Sequence, residues 1–186
     1  LTGAHSLEPG FLKGKTLLNL DSEDEGELFI GCAGGIDTLA SFTYKKSKAP
    51  KGSVAFKLSL TGLKGGHSGD EIDKNLGNSN KLLCRLLWNA ASRFKLRLSY
   101  FDGGNLRNAI PREAFALICI KSKHRDAFLN YVRTYTCAIS KEYEVTEPGL
   151  SLKAEEAELP EYVMGKKSQW RLLNALYACP HGVHAM

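Results

Sequence analysis

The sequence lacks several features that would place it in a specialised class of protein. No apolar run approaches the ~20 residues of a membrane-spanning helix, and no basic segment leads into an apolar stretch at the start, as in a signal peptide. Lys and Arg form no compact block of the kind that marks nucleic-acid binding. What remains, 186 residues of which 43% are hydrophobic and 24% charged, predicts an ordinary soluble globular protein of one domain with an appended fragment.

The five cysteines also lack a recognisable pattern. No two of them have the short spacing of a zinc-binding or redox motif, and their number is odd. Cys84, Cys119 and Cys137 lie within apolar segments, where a free cysteine behaves as a small core residue. We therefore expect free thiols and a reducing, cytoplasmic setting.

The net charge of +5 is unevenly distributed along the chain. Acidic residues dominate residues 1–37, whereas residues 45–64 contain six lysines and no acid. A basic middle region can attract an anionic ligand. A solvated surface with scattered lysines is the alternative interpretation.

The middle of the chain alternates between strand and helix patterns. Apolar residues recur at every second position in Ser53–Thr61 and at helical spacing in 78–94 and Arg125–Glu142. Further strands are predicted at 95–102, 114–120 and 150–154. The resulting order, β-α-β-β-α-β, predicts an α+β fold in which a ferredoxin-like antiparallel sheet carries two helices on one face. Outside this core we expect short N-terminal strands at 16–20, 27–32 and 37–45, and a C-terminal helix at 168–178.

An acidic turn, LLNLDSEDEGE, follows the first of the N-terminal strands. Asp21 stands at the end of that strand, where α/β proteins place ligands, and carboxylates there suit a hard or borderline cation. On pattern alone, an acidic hairpin turn ranks ahead of a metal site.

Two glycine-containing loops carry further candidate residues. In the loop 64–70 three glycines surround His67, which allows close approach of a ligand and an imidazole that donates to an oxyanion or binds a carboxylate. In 103–112, Asn108 offers an amide, and Arg107 and Arg112 offer guanidinium groups to a carboxylate. The alternatives are a solvated surface histidine and ordinary turn chemistry.

Three long segments, taken in order, resemble a known family. LTGAHSLEPGFLKGKTLLNLDSEDEGELFIGCAGGID, LTGLKGGHSGDEI and FDGGNLRNAIPREAFA are similar to the aminoacyl-histidine dipeptidases. These bacterial, carnosine-splitting Xaa-His dipeptidases belong to the zinc exopeptidase family that also holds carboxypeptidase G and succinyl-diaminopimelate desuccinylase. The similarity is strongest over 1–116 and recurs at RLLNALYACPHGV.

The resemblance implies a two-domain enzyme with two zinc ions and an inserted lid or dimerisation domain. It implies that residues 1–36 are a strip of the catalytic domain and that 37–186 form the lid domain, with a core at 53–157 and a truncated C-terminus. Asp21 would be a metal ligand, and His67 and Asn108 would contact substrate. The general base and most metal ligands of the family have no counterpart in this sequence, so the chain alone is expected to be inactive.

Arg107 and Arg112 are assigned to the C-terminal carboxylate of the dipeptide on charge alone. The expected partners are therefore a small dipeptide substrate and a second copy of the chain, with no nucleic acid and no membrane. The competing hypothesis is a basic ferredoxin-like module that binds nucleic acid or serves as a scaffold. RNA-recognition domains share the β-α-β-β-α-β order but need stacking aromatics on their central strands, and 114–120 offers only Phe115.

Overall fold

The computed structural model describes residues 6–16, 18, 25–31 and 34–183. The chain divides into two compact units, Leu1–Ala40 and Ser41–Met186. All helices and strands found in the described residues lie in the second unit. None of these helices combines the length and the apolar character needed to cross a lipid bilayer.

The second unit contains eight strands and three α-helices within its described part. In chain order these are β1 (Lys46–Lys48), β2 (Ser53–Thr61), β3 (Gly66–His67), α1 (Ser79–Arg93), β4 (Arg97–Gly103), β5 (Ala109–Ile110), β6 (Ala114–Lys121), α2 (Arg125–Glu142), β7 (Ser151–Ala157), β8 (Tyr162–Met164) and α3 (Lys166–Ala178). A short 3-10 turn, Ser122–His124, leads into α2.

The main sheet has four antiparallel strands in the order β4-β6-β2-β7. Because β2, β4, β6 and β7 are the four long strands of the predicted β-α-β-β-α-β unit, this order is that of a ferredoxin-like sheet. The predicted fold class is confirmed. Strand β2, the first of the four in the chain, lies between β6 and β7, so the sheet depends on contacts between distant parts of the chain.

The alternation in β2 produces the core as expected. Phe56, Leu58 and Leu60 are fully buried, whereas Lys57 between them is exposed. The ring of Phe56 packs against Phe128 of α2 at a centroid distance of 5.5 Å. Phe128 in turn packs edge-on against Phe94 at 5.6 Å. The period-two pattern therefore directs one face of the sheet onto the helices.

A second, smaller apolar cluster also involves the central strands. Ala55 of β2 and Cys119 of β6 are buried together with Val163 of β8. Strand β8 pairs with β1 as a separate two-stranded sheet, and Arg97 of β4 donates to the carbonyl oxygen of Met164 at 2.6 Å. The β1–β8 pair therefore covers this part of the sheet.

Helix α1 begins where its sequence provides a cap. The Asn78 side-chain oxygen accepts a hydrogen bond from the backbone N–H of Lys81 at 3.2 Å. Replacing Asn78 by alanine is expected to lower the free energy of unfolding by ~1 kcal/mol, because one first-turn N–H loses its partner. Urea denaturation checks this, and Asn78→Asp, which keeps the acceptor, is the matched control. Equal losses in both variants would contradict the capping role.

The predicted N-terminal strands are corrected in part by the structure. Residues 27–31 and 37–45 are irregular, and the strand of this region is Lys46–Lys48. Leu28, Ile30 and Leu39 are each at least 90% exposed. Alternating apolar residues form a strand only where a neighbouring strand satisfies the backbone groups. The predicted strand at 16–20 lies largely outside the described residues, as does Cys32.

Candidate functional site

Two short strands bring the candidate loops together. Strand β3 pairs antiparallel with β5, with Gly66 opposite Ile110 and His67 opposite Ala109. The ladder is extended by the backbone N–H of Ser68, which donates to the carbonyl oxygen of Asn108 at 3.0 Å. His67 and Asn108, which the sequence singled out separately, are therefore neighbours in the fold.

The loop that follows β3 selects one tautomer of the neutral His67 ring. Nδ1 accepts hydrogen bonds from the backbone N–H groups of Gly69 and Asp70, each at 3.2 Å. In the neutral imidazole one nitrogen accepts and the other donates. Nε2 therefore carries the proton and is the donor that a ligand meets.

The His67 side chain is 49% exposed, so this donor is accessible. The Asp70 carboxylate lies 3.3 Å from Nδ1, and it forms an ion pair with the ring only when the ring is protonated. In the neutral form the two backbone N–H groups, rather than this carboxylate, orient the imidazole.

Glu71 holds the backbone of His67 from the other side. Its carboxylate accepts from the His67 backbone N–H at 2.8 Å and from Lys74 Nζ at 3.1 Å. The hydrogen bond from His67, followed by the contact with Lys74, lowers the pKa of Glu71 below that of an ordinary glutamate. The acceptor therefore remains ionised at neutral pH. A Cβ on Gly66 would lie 2.9 Å from this carboxylate and 2.7 Å from the end of the Leu76 side chain, so a larger residue before His67 would have to displace these side chains.

The first turn of α1 holds both ends of the loop 103–111, which carries Asn108. The Asn80 side chain donates to the carbonyl oxygen of Gly103 at 3.2 Å, and the backbone N–H of Ser79 donates to that of Pro111 at 2.9 Å. One helix end therefore positions the strand that enters this loop and the strand that leaves it.

Between the two loops lies a pocket of about 650 Å³. His67 and Asn108 line it together with two cationic residues, Lys64 and Arg112. Asp102, Glu113 and Phe115 complete its polar and apolar wall. The pocket thus combines donors for a carboxylate or a carbonyl oxygen with an aromatic surface. Arg107 is not among the lining residues, so the structure brings together three of the four predicted substrate-binding residues.

The described residues do not fit a metal centre. Within 6–16, 18, 25–31 and 34–183, no three His, Cys, Asp or Glu side chains are grouped so that they could hold an ion. Asp21, the predicted metal ligand, lies outside the described residues. The described part of the site therefore contributes hydrogen-bond donors and charges.

The sequence analysis did not single out the two acidic residues that accept hydrogen bonds from the backbone of the loop around His67. Glu71 stands four residues after His67, and this spacing within a glycine-rich loop is the only local signal for its role. Glu147 contacts the same loop from a position 83 residues after Lys64, and no local pattern marks it. Such contacts between distant segments are decided by the fold.

The sheet and the paired loops define the class to which the chain belongs. Residues 49–147 match the family model described as the peptidase dimerisation domain, which is more than half of the chain. The chain therefore belongs to the peptidase dimerisation domain family, as the resemblance in the sequence had indicated.

Two dipeptidases are the most informative relatives. The chain is 43% identical to cytosol non-specific dipeptidase from Escherichia coli (strain K12) over 183 residues, which is 98% of this chain and 38% of that protein. The crystal structure of aminoacylhistidine dipeptidase from Vibrio alginolyticus matches with a TM-score of 0.82 at 39% identity, covering 100% of this chain and 38% of that one. The chain thus spans 38% of the length of each relative.

Proposed function

We propose that this chain forms the lid and dimerisation region of a metal-dependent dipeptidase that hydrolyses Xaa-His dipeptides such as carnosine. The observation that carries the proposal is the pairing of β3 with β5, which places His67 and Asn108 in one pocket. The 43% identity to one dipeptidase and the TM-score of 0.82 to another support it.

The hydrogen-bond donors of the pocket suit the substrate. A dipeptide presents a C-terminal carboxylate and an amide carbonyl, both of which accept hydrogen bonds. Arg112, as a guanidinium, can hold the carboxylate in a two-point contact. Asn108 donates through its amide and orients the peptide. Arg107, which is outside the pocket lining, stays a candidate for the carboxylate on charge alone.

His67 is proposed to stabilise the transition state. Amide hydrolysis passes through a tetrahedral intermediate in which the carbonyl oxygen becomes an oxyanion, and a preorganised donor favours it. Because Nδ1 is occupied by the two loop N–H groups, Nε2–H donates to this oxygen without any prior protonation of the ring. The fixed ring orientation avoids reorganisation during the reaction.

The metal ions are assigned to other residues. The resemblance implies two zinc ions, which would supply an activated water, and Asp21 is the proposed ligand from this sequence. Since the described residues hold no such cluster, their own part in the reaction is to bind and orient the dipeptide and to stabilise the oxyanion. We propose accordingly that the chain alone is inactive, that the whole enzyme is a homodimer through this domain, and that it works in the cytoplasm.

The direct test is an assay of the whole enzyme and of this chain on carnosine and other Xaa-His dipeptides. The whole enzyme is expected to hydrolyse them and to lose activity on chelation, whereas the chain alone should not. Sedimentation analysis should show a dimer for the whole enzyme. A whole enzyme with no dipeptidase activity would refute the proposal.

A substitution of Asn108 tests the substrate contact. Asn108→Ala in the whole enzyme is expected to raise KM about tenfold, which corresponds to the loss of one hydrogen bond to a charged group. Asn130→Ala, on the exposed surface of α2, is the matched control. Initial-rate kinetics on carnosine measure both, and an unchanged KM for Asn108→Ala would remove this residue from the site.

The nucleic-acid-binding alternative is not favoured. Residues 49–147 belong to a peptidase domain family, and both informative relatives are dipeptidases. Phe115, the single aromatic residue of β6, lines the pocket beside Asn108 and has Lys57 over its ring at 5.8 Å. A lone aromatic residue in this setting does not form a stacking platform for bases.

A further inference from the structure

We propose that Glu147 is a positioning residue for His67, because its buried carboxylate closes the loop that carries the histidine. This inference rests on the proposed function of His67. It adds a residue from the turn after α2 to a site that is otherwise built from the β3, α1 and β5 regions.

The Glu147 carboxylate contacts the backbone at two points. Glu147 is only 1% exposed. One carboxylate oxygen accepts from the backbone N–H of Lys64 and the other from that of Gly77, both at 2.7 Å. These two N–H groups stand at the ends of segment 64–77, which we call the His67 loop. A single side chain therefore joins both ends of this loop.

The position is a costly one for a carboxylate. Within the described part of the chain Glu147 forms no ion pair, although burial of an unpaired charge is unfavourable. Its own N–H donates to the carbonyl oxygen of Tyr143, the C-cap of α2, at 2.8 Å, which places Glu147 at the end of the turn that follows the helix. An apolar residue here would leave the backbone N–H groups of Lys64 and Gly77 without their acceptor, so the two N–H···O contacts explain why an acid stands at this position.

The contact between Glu147 and Gly77 also connects to the part of the pocket that contains Asn108. Gly77 directly precedes Asn78, the N-cap of α1. The two residues after the cap, Ser79 and Asn80, hold the two ends of the loop that carries Asn108. A Cβ on Gly77 would lie 3.2 Å from the Glu147 side chain, so the two segments are in close contact. Glu147 therefore ties Lys64, at the start of the His67 loop, to Gly77, which immediately precedes α1. Small displacements of a catalytic donor can cost up to about 10²-fold in rate.

The test compares variants of the whole enzyme. Glu147→Ala is expected to lower kcat about tenfold with little change in KM, and Glu147→Gln, which keeps one carbonyl oxygen as an acceptor, should lower it less. Glu144→Ala, an exposed acid three residues earlier, is the control. Hydrogen exchange followed by mass spectrometry should show faster exchange in 64–77 for the Glu147 variants than for the wild type, with β6 unchanged.

A double-mutant cycle separates positioning from a general structural role. If Glu147 acts through His67, Glu147→Ala should cause no further loss of kcat in a His67→Ala background. An additive loss would overturn the inference, as would unchanged exchange in 64–77. If the alanine variant does not fold, the glutamine variant carries the same comparison.

The failure of this inference can be told apart from a failure of the proposed function. Normal kcat in His67→Ala would refute the role of His67 and with it the positioning role, even if exchange in 64–77 rises in Glu147→Ala. Impaired His67→Ala combined with normal kcat in Glu147→Ala would overturn only the role of Glu147.

Discussion

Replacing His67 by alanine is expected to lower the kcat of the proposed dipeptidase by roughly 10²–10³-fold, the loss found when one oxyanion donor is removed. The fold should be retained, because the side chain is half exposed and its ring contributes little to the core. KM is expected to change much less than kcat, because the donor is needed mainly where charge develops. Steady-state kinetics on carnosine, with the melting temperature measured in parallel, check the result.

Two further substitutions of His67 identify which ring nitrogen donates the hydrogen bond to the oxyanion. The amide nitrogen of glutamine can take the place of Nε2, whereas that of asparagine corresponds to Nδ1. His67→Gln should therefore retain more activity than His67→Asn. Asp73→Ala, in an exposed part of the same loop, is the control. Equal activity of the two amide variants would contradict the assignment of Nε2 as the donor.

Replacing Gly62 by alanine is expected to destabilise the chain by about 3 kcal/mol or more, since it combines two unfavourable effects. Gly62 has φ +79°, where a side chain is strained, and its Cβ would overlap the carbonyl oxygen of Gly149. That oxygen belongs to the backbone, so it can move only if the segment between α2 and β7 moves. Urea denaturation of the purified chain measures the loss.

Gly52 provides the matched control for this prediction. It also has a positive φ, +65°, but a Cβ there would meet nothing within 4 Å. Gly52→Ala should therefore cost only the backbone strain of roughly 1–2 kcal/mol. Similar losses in the two variants would show that the close approach between Gly62 and Gly149 does not contribute.

Much of the fold could be predicted from local patterns. The alternation in Ser53–Thr61 and the helical spacing in Arg125–Glu142 give these elements with the bounds that the structure shows. Each pattern reflects a side chain that must be buried on one face, which is a local property of the sequence. Residues 27–31 contain the apolar run Leu28–Ile30 but do not form a strand, because strand pairing depends on a neighbour that the local sequence does not specify.

The candidate site was predictable only as separate parts. Glycines around His67 and the amide of Asn108 indicated two ligand-binding loops, and the family resemblance gave each a role. The pairing of β3 with β5 was not predicted, because two-residue strands leave no periodic signal. The exclusion of Arg107 from the pocket lining likewise depends on the path of the loop in space.

The sequence was sufficient to predict the order of the core elements, the ferredoxin-like sheet, the family and the two loops that carry His67 and Asn108. The folded structure was needed to show that these loops share one pocket and that the ring of His67 presents Nε2. It also showed that a carboxylate from the turn after α2 closes the His67 loop. This difference arises because the spacing of apolar residues can be read within one segment of the sequence. Hydrogen bonds between backbone groups and distant side chains, in contrast, form only when the chain folds.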